Sequence, residues 1–229
     1  MKTTSLVQAV STACALSMLI PVLTISASAA VSDKIKDRID ESAAVLREIH
    51  AAPDKDVPKE LWDRATCVIV IPSLKKAAFV FGGEYGKGLM SCRKGGAWSA
   101  PVFMRLEKGS WGLQIGAQSI DLVLLVNNER GMKKLLGNKV TLGAEASVAA
   151  GPVGRDARAA TDAQMNAEIL SYSRTQGLFA GINLSGGVLR PDSDDNEDVY
   201  GQKTTPEAIL KGETAAPSAA QPFMKALNR

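Results

Sequence analysis

The sequence predicts an α+β fold with a mainly antiparallel, barrel-like or sandwiched β-sheet, an N-terminal amphipathic helix and short additional helices. Apolar residues recur every three or four positions over residues 31–50, which is the period of a helix with one buried face. Short β-rich runs then follow one another about every ten residues from Cys67 onward. All 20 glycines lie between Gly82 and Gly212, as expected where strands need tight turns, bulges and close backbone approaches.

The composition is that of a single globular domain and excludes some classes of partner. The 229 residues include 27 Lys and Arg against 24 Asp and Glu, a formal net charge of +3. This net positive charge is too small for a broad phosphate-binding surface, and 5% aromatic residues provide few platforms for base stacking. We therefore expect no nucleic-acid partner.

Residues 1–29 are predicted to be a signal peptide. Lys2 is followed by no charge until Asp33, and an apolar run over residues 16–23 leads into the small residues Ala27-Ser28-Ala29. Cleavage is expected after Ala29 or one residue later, which implies a periplasmic or secreted protein. An uncleaved membrane anchor is the alternative.

The remaining chain keeps Cys67 and Cys92 in a compartment that permits disulfides, and their pairing depends on a Cα separation that the sequence leaves open.

The element order follows from local patterns. The first helix ends near His50, and a linker with Pro53 and Pro58 leads to a short helix through Trp62. Strands are expected over 67–71, 77–81, 89–93, 98–106, 111–118, 120–126 (central and buried), 140–148, 168–174 and 178–184, with turns at Gly82-Gly83, Gly86 and residues 108–110. Short helices are expected before Gly137 and over 206–211, and residues 213–229 are predicted to form a flexible tail.

The sequence offers little for catalysis, so we expect no enzyme, cofactor or metal. His50 is the one histidine, too few with two cysteines for an ordinary zinc site. A carboxylate pair such as Glu107 and Asp121, the basis of a hydrolase alternative, has no supporting motif. The acidic run 192–198 could surround Ca²⁺, but Glu197 replaces the glycine that an EF-hand loop requires, and a solvated loop is the favoured interpretation.

Basic residues placed in or beside turns indicate an anion site. Glycine-rich backbone and cationic side chains together can bind one phosphate, and in a closed antiparallel sheet turns distant in sequence can meet at one rim. The alternative is that these lysines only keep the strands soluble. The candidate lipid-binding residues are Lys75, Lys76, Lys87, Arg93, Lys94, Gly151, Gly154 and Arg155.

A series of motifs over residues 58–212 resembles the SYLF domain family. They are Ile71-Pro72-Ser73, Phe81-Gly82-Gly83-Glu84-Tyr85-Gly86-Lys87-Gly88, Trp98-Ser99-Ala100-Pro101, Gly112-Leu113-Gln114-Ile115-Gly116, Gly151-Pro152-Val153-Gly154-Arg155, Ser171-Tyr172-Ser173 and Gly177-Leu178-Phe179-Ala180-Gly181. The resemblance implies lipid binding. Eukaryotic members associate with phosphoinositides and some with actin filaments, whereas bacterial members are typically exported. Together with the patterns above, it divides the chain into a signal peptide (1–29), a helix and linker (30–57), a SYLF-like lipid-binding domain (58–212) and the tail (213–229).

The expected function is therefore non-catalytic phospholipid binding, either at a membrane surface or in an apolar groove. An exported member would meet phosphatidylethanolamine, phosphatidylglycerol or cardiolipin. The alternative function is that of a structural or adhesive envelope protein acting through protein–protein contacts.

Overall fold

A computed structural model describes residues 31–51, 57–78, 81–111, 116–137, 139–153, 166–175 and 178–228. The predicted signal peptide lies outside these residues. Within these ranges, ten strands form one curled sheet in the spatial order β6-β10-β4-β2-β1-β5-β8-β7, with β3 beside β2 and β9 beside β8. All pairs are antiparallel except β7 and β8. The strands are β1 (Cys67–Ala78), β2 (Phe81–Lys94), β3 (Ala97–Trp98), β4 (Val102–Trp111), β5 (Gly116–Val126), β6 (Val140–Thr141), β7 (Val148–Ala150), β8 (Ile169–Thr175), β9 (Leu178–Gly181) and β10 (Val188–Pro191).

Helices cover the sheet, which confirms the predicted α+β class with its N-terminal helix. They are α1 (Asp33–His50), α2 (Lys59–Arg64), α3 (Glu129–Leu135), α4 (Ser193–Tyr200), α5 (Pro206–Leu210) and α6 (Gln221–Leu227), preceded by a 3₁₀ turn at Ser218–Ala220. Asn128, Asp192 and Thr205 begin α3, α4 and α5, each accepting a backbone N–H bond with its side chain. Among the described residues, no helix combines the length and apolar composition that a membrane crossing requires.

The sheet is buried on both faces, which explains why its central strands read as continuous apolar runs. Val68 and Val70 of β1 belong to a core layer that includes Ile39 of α1 and Phe223 of α6. Ile69 and Ile71, one position along, belong to a second layer that includes Leu135 of α3 and Ile209 of α5. Strand β5, predicted to be central, lies between β1 and β8.

The predicted turn at Gly82-Gly83 and Gly86 is wrong, because these glycines lie inside the long strand β2. Likewise β1 is one strand through residues 67–78 rather than two. The glycines mark a close approach of β1 rather than a turn. A Cβ at Gly88 would lie 1.9 Å from the carbonyl oxygen of Val70, and one at Gly86 would lie 2.6 Å from a methyl of Ile71.

Four further predictions need correction. The turn over residues 108–110 is absent, since β4 continues to Trp111, and the strand over 140–148 is reduced to the short β6 and β7. The acidic run 192–198 forms helix α4 instead of a solvated loop. The flexible tail is wrong as well: residues 218–227 form the 3₁₀ turn and α6, and Phe223 and Leu227 are fully buried beside α1.

Cys67 and Cys92 form a disulfide between β1 and β2. The two residues are direct cross-strand partners in the sheet, with Cα atoms 3.9 Å apart. Both are buried. The structure thus pairs the two cysteines, which the sequence alone did not decide.

Candidate functional site

A groove of about 340 Å³ lies between the first turns of α1 and strands β1 and β2. We call it the helix–bulge groove, because one of its walls is an irregularity in β1. Its lining residues are Lys34, Asp37, Arg38, Glu41, Pro72, Ser73, Lys75, Tyr85, Gly86 and Lys87. Four cations and two carboxylates therefore face the groove.

The bulge in β1 is fixed by a chain of polar contacts. The pairing of β1 with both neighbours shifts register after residues 70–71, and Ser73 adopts a φ of 52°, which L-residues rarely do. The Ser73 N–H donates to Asp121 Oδ1 at 2.9 Å. Asp121 Oδ2 in turn accepts from Arg174 Nε at 2.8 Å, and Arg174 also pairs with Glu48 of α1. The bulge is thus tied to β5, β8 and α1.

The opposite wall is the polar side of α1. Lys34 and Arg38 are four residues apart and therefore lie on one helix face, as do Asp37 and Glu41. Arg38 pairs with Asp195 of α4. The helix that packs its apolar stripe on the sheet thus presents its charged edge to the groove.

Lys87 of the groove is held by two carboxylates, Asp192 at the start of α4 and Asp195 within it. Its Nζ lies 2.6 Å from Asp192 Oδ2 and 3.2 Å from Asp195 Oδ2. Burial alone would lower the pKa of Lys87, but the hydrogen bonds to Asp192 and Asp195 outweigh it and raise that pKa. Burial likewise opposes the charge of Asp192, yet the contact with Lys87 lowers the pKa of Asp192. Lys87 is thus a charged structural cation with its own counterions.

Lys34 and Lys75 are the two cations of the groove that have no counterion within the described fold, and the carboxylates of Asp37 and Glu41 line the same groove. No carboxylate pairs with either lysine among the residues that the structure describes. Lys75 is the cross-strand partner of Tyr85, which with Leu178 is one of the two exposed large hydrophobic residues in the described part of the chain, at 45% exposure. An exposed tyrosine beside a lysine offers an amphipathic ring and a cation to one ligand.

The structure brings together only part of the predicted basic site. Lys75 and Lys87 share the groove, but Lys76 pairs with Glu84 at 3.2 Å and is absent from its lining. Arg93 and Lys94 are at the far end of β2. At a strand rise of about 3.3 Å per residue, Arg93 is about 20 Å from Lys87. The prediction that Lys75 and Lys76 converge with Arg93 and Lys94 on one rim is therefore wrong, because the intervening glycines lie within β2 and do not reverse the chain.

The remaining residues of the predicted site that the structure describes have structural contacts of their own. The Arg93 guanidinium stacks over the Trp98 ring at 4.1 Å, and Lys94 donates to the Lys211 carbonyl. Gly151 packs against Tyr172, where a Cβ would lie 2.0 Å from the ring. Gly154 and Arg155 lie outside the described residues.

Sequence reasoning missed Lys34, Ser73 and Tyr85. The helical period places Lys34 and Arg38 on one face, which was a usable signal, but a mixed-charge face does not reveal which edge meets the sheet. No group of three or more potential metal ligands occurs in the part of the chain that the structure describes.

Comparison with known proteins places these features in a family. Residues 107–229 match the Ysc84 family, described as "Las17-binding protein actin regulator". An SH3 domain-containing protein of Schizosaccharomyces pombe is 39% identical over 165 residues, 70% of this chain and 38% of that protein. Protein YSC84 of Saccharomyces cerevisiae is 32% identical over 203 residues, 84% of this chain and 43% of the relative.

A mammalian relative, SH3 domain-containing YSC84-like protein 1 of Rattus norvegicus, is 30% identical over 205 residues, 86% of this chain and 60% of the relative. The chain therefore spans between 38% and 60% of the length of these three proteins. The description of the matching family names a binding protein. From the matched residues we conclude that this chain belongs to the Ysc84 family, whose shared unit is the SYLF domain.

Proposed function

We propose that the protein binds anionic phospholipid without catalysis, through the helix–bulge groove. The observation that carries the proposal is the pair Lys34 and Lys75, two cations without carboxylate partners among the described residues, on facing walls of one groove. A phosphate between them would replace no existing ion pair. Lys87 and Arg38, by contrast, already have Asp192 and Asp195 as counterions.

The neighbourhood of the two lysines suits a headgroup at a membrane surface. Tyr85 is half-exposed beside Lys75, and aromatic residues with a polar end favour the membrane–water interface. The groove volume of about 340 Å³ is at the small end of ligand pockets, which fits a headgroup rather than a whole lipid. The acyl chains would stay in the bilayer.

The test is co-sedimentation with vesicles of phosphatidylglycerol and phosphatidylcholine. Lys34→Ala combined with Lys75→Ala should weaken binding to anionic vesicles by about thirtyfold, given that each basic residue near an anionic surface contributes roughly 1 kcal/mol and the two together about 2 kcal/mol. The matched control is Lys36→Ala combined with Lys94→Ala, which removes the same charge from positions outside the groove. Binding should also fall with added salt.

Equal weakening of vesicle binding by the two double variants would show that only net charge matters, and it would refute the groove as the binding site. Undiminished binding of the groove variant would refute it as well.

We propose that the protein works in an oxidising compartment, to which residues 1–29 direct it as a cleaved signal peptide. The Cys67–Cys92 disulfide supports this location, because such bonds are rare in the reducing cytosol. N-terminal sequencing of the protein from its own host should begin at Ala30 or Val31. A start at Met1 or Lys2 would contradict cleavage.

A second candidate function is binding of a protein partner. The names of the family and of a yeast relative, LAS seventeen-binding protein 3, support it. Under this function the groove variant would retain its vesicle binding but lose a partner recovered by cross-linking in the native host.

A further inference from the structure

A second cavity, of about 620 Å³, lies between the last turn of α1 and helix α6. Its volume is within the usual range of roughly 300–1,000 Å³ for sites that bind small molecules. It is remote from the helix–bulge groove, because Lys34 and Arg47 are 13 residues apart on α1, about 20 Å along the helix axis. The two sites are therefore independent.

The two helices form the cavity in the same way. Arg47, His50 and Ala51 lie at i, i+3 and i+4 along α1, and Pro222, Lys225 and Ala226 repeat that spacing along α6. This spacing places three side chains on one helix face. Each face contributes a cation and a small alanine, and the two alanine methyl groups leave the space between the helices open.

The cavity combines positive charge with apolar walls. No carboxylate pairs with Arg47 or Lys225 in the described part of the chain. His50 stands edge-on to Trp62, with ring centroids 4.5 Å apart. The end of α1 carries about half a negative elementary charge, which two full cations outweigh. Ala51, Pro222 and Ala226 supply apolar surface.

We propose that this cavity binds a single-chain anionic amphiphile, a medium- or long-chain fatty acid. Its carboxylate would accept hydrogen bonds from Arg47 and Lys225, and its alkyl chain would lie against Ala51, Pro222 and Ala226. The charge of the two side chains selects an anion, and the apolar walls between them select one that carries an alkyl chain.

Isothermal titration of the purified protein with decanoate, below its micellar concentration, tests the proposal. Arg47→Gln or Lys225→Gln should weaken decanoate binding by about tenfold, because each removes a charge-assisted hydrogen bond. Ala51→Leu should abolish binding by filling the cavity from an exposed position, where the substitution leaves folding intact. Arg64→Gln is the control, since it removes a charge from the end of α2, outside the cavity.

Decanol, with the same chain and no charge, should bind much more weakly than decanoate. Failure of the unmodified protein to bind decanoate would overturn the proposal, as would binding unchanged by Arg47→Gln and Lys225→Gln or equal affinity for decanol. Circular dichroism checks that each variant is folded. The proposal is independent of the groove, so Lys34→Ala with Lys75→Ala should leave decanoate binding unchanged.

Discussion

Replacing Asp121 by alanine should lower the free energy of unfolding by about 3 kcal/mol. The Asp121 carboxylate accepts from the Ser73 N–H at 2.9 Å and from Arg174 Nε and Nη2 at 2.8 and 2.7 Å. A single hydrogen bond to a charged group contributes roughly 1.5–3 kcal/mol, and these contacts are little screened because the Asp121 side chain is 15% exposed. Arg174 keeps Glu48 as a partner, which holds the loss well below the sum of the separate bonds.

Urea unfolding followed by circular dichroism measures this loss as a lower transition midpoint with an unchanged slope. The matched experiment is a double-mutant cycle with Arg174→Met. If the two side chains act together on the bulge, the double variant should lose about 2 kcal/mol less than the sum of the single variants. Losses that add to within about 0.5 kcal/mol, or a loss below about 1 kcal/mol for Asp121→Ala, would refute the described role of this contact.

Two further predictions concern α4 and α6. Asp192→Asn should destabilise the protein by about 2 kcal/mol at pH 7, since it removes the charged partner of the partly buried Lys87. Because the folded-state pKa of Asp192 is lowered from 3.8, its stabilising effect is present above that value and is lost as the pH falls through the folded-state pKa. The difference in unfolding free energy between the unmodified protein and Asp192→Asn should therefore disappear below about pH 4. A difference that stays constant with pH would contradict the stabilising contact between Asp192 and Lys87. Phe223→Ala should cost about 3–5 kcal/mol in the same assay, because this fully buried ring packs in the core that includes α1, whereas a loose tail would lose almost nothing.

Elements whose signal is local could be predicted from the sequence. Helix α1 and strand β5 depend on apolar spacing within one segment, and that spacing matches their burial. Helix α5 was also expected, from Thr205 before Pro206 and from Gly212 after the last turn. The fold class followed from these elements.

Features that depend on distant contacts could not be predicted. The acidic segment at 192–198 is typical of a loop, but Asp192 and Asp195 meet Lys87, more than 100 residues earlier in the chain. In β2, Gly86 and Gly88 have the composition of a turn, and only the position of β1 shows that they make room for a neighbour. For the candidate site, the sequence supplied Lys75 and Lys87, whereas the contribution of α1 depended on how the helix packs.

The disulfide gives the hairpin of β1 and β2 the topology of a covalent ring. Every strand residue that lines the helix–bulge groove, from Pro72 to Lys87, lies between Cys67 and Cys92 in the chain. A protease that cuts once between those residues would leave two pieces still joined through sulfur. Such a cut would be invisible on a non-reducing gel and would appear as two fragments only after a reductant is added. A sample that gives a single band on a non-reducing gel is therefore not shown to have an intact groove.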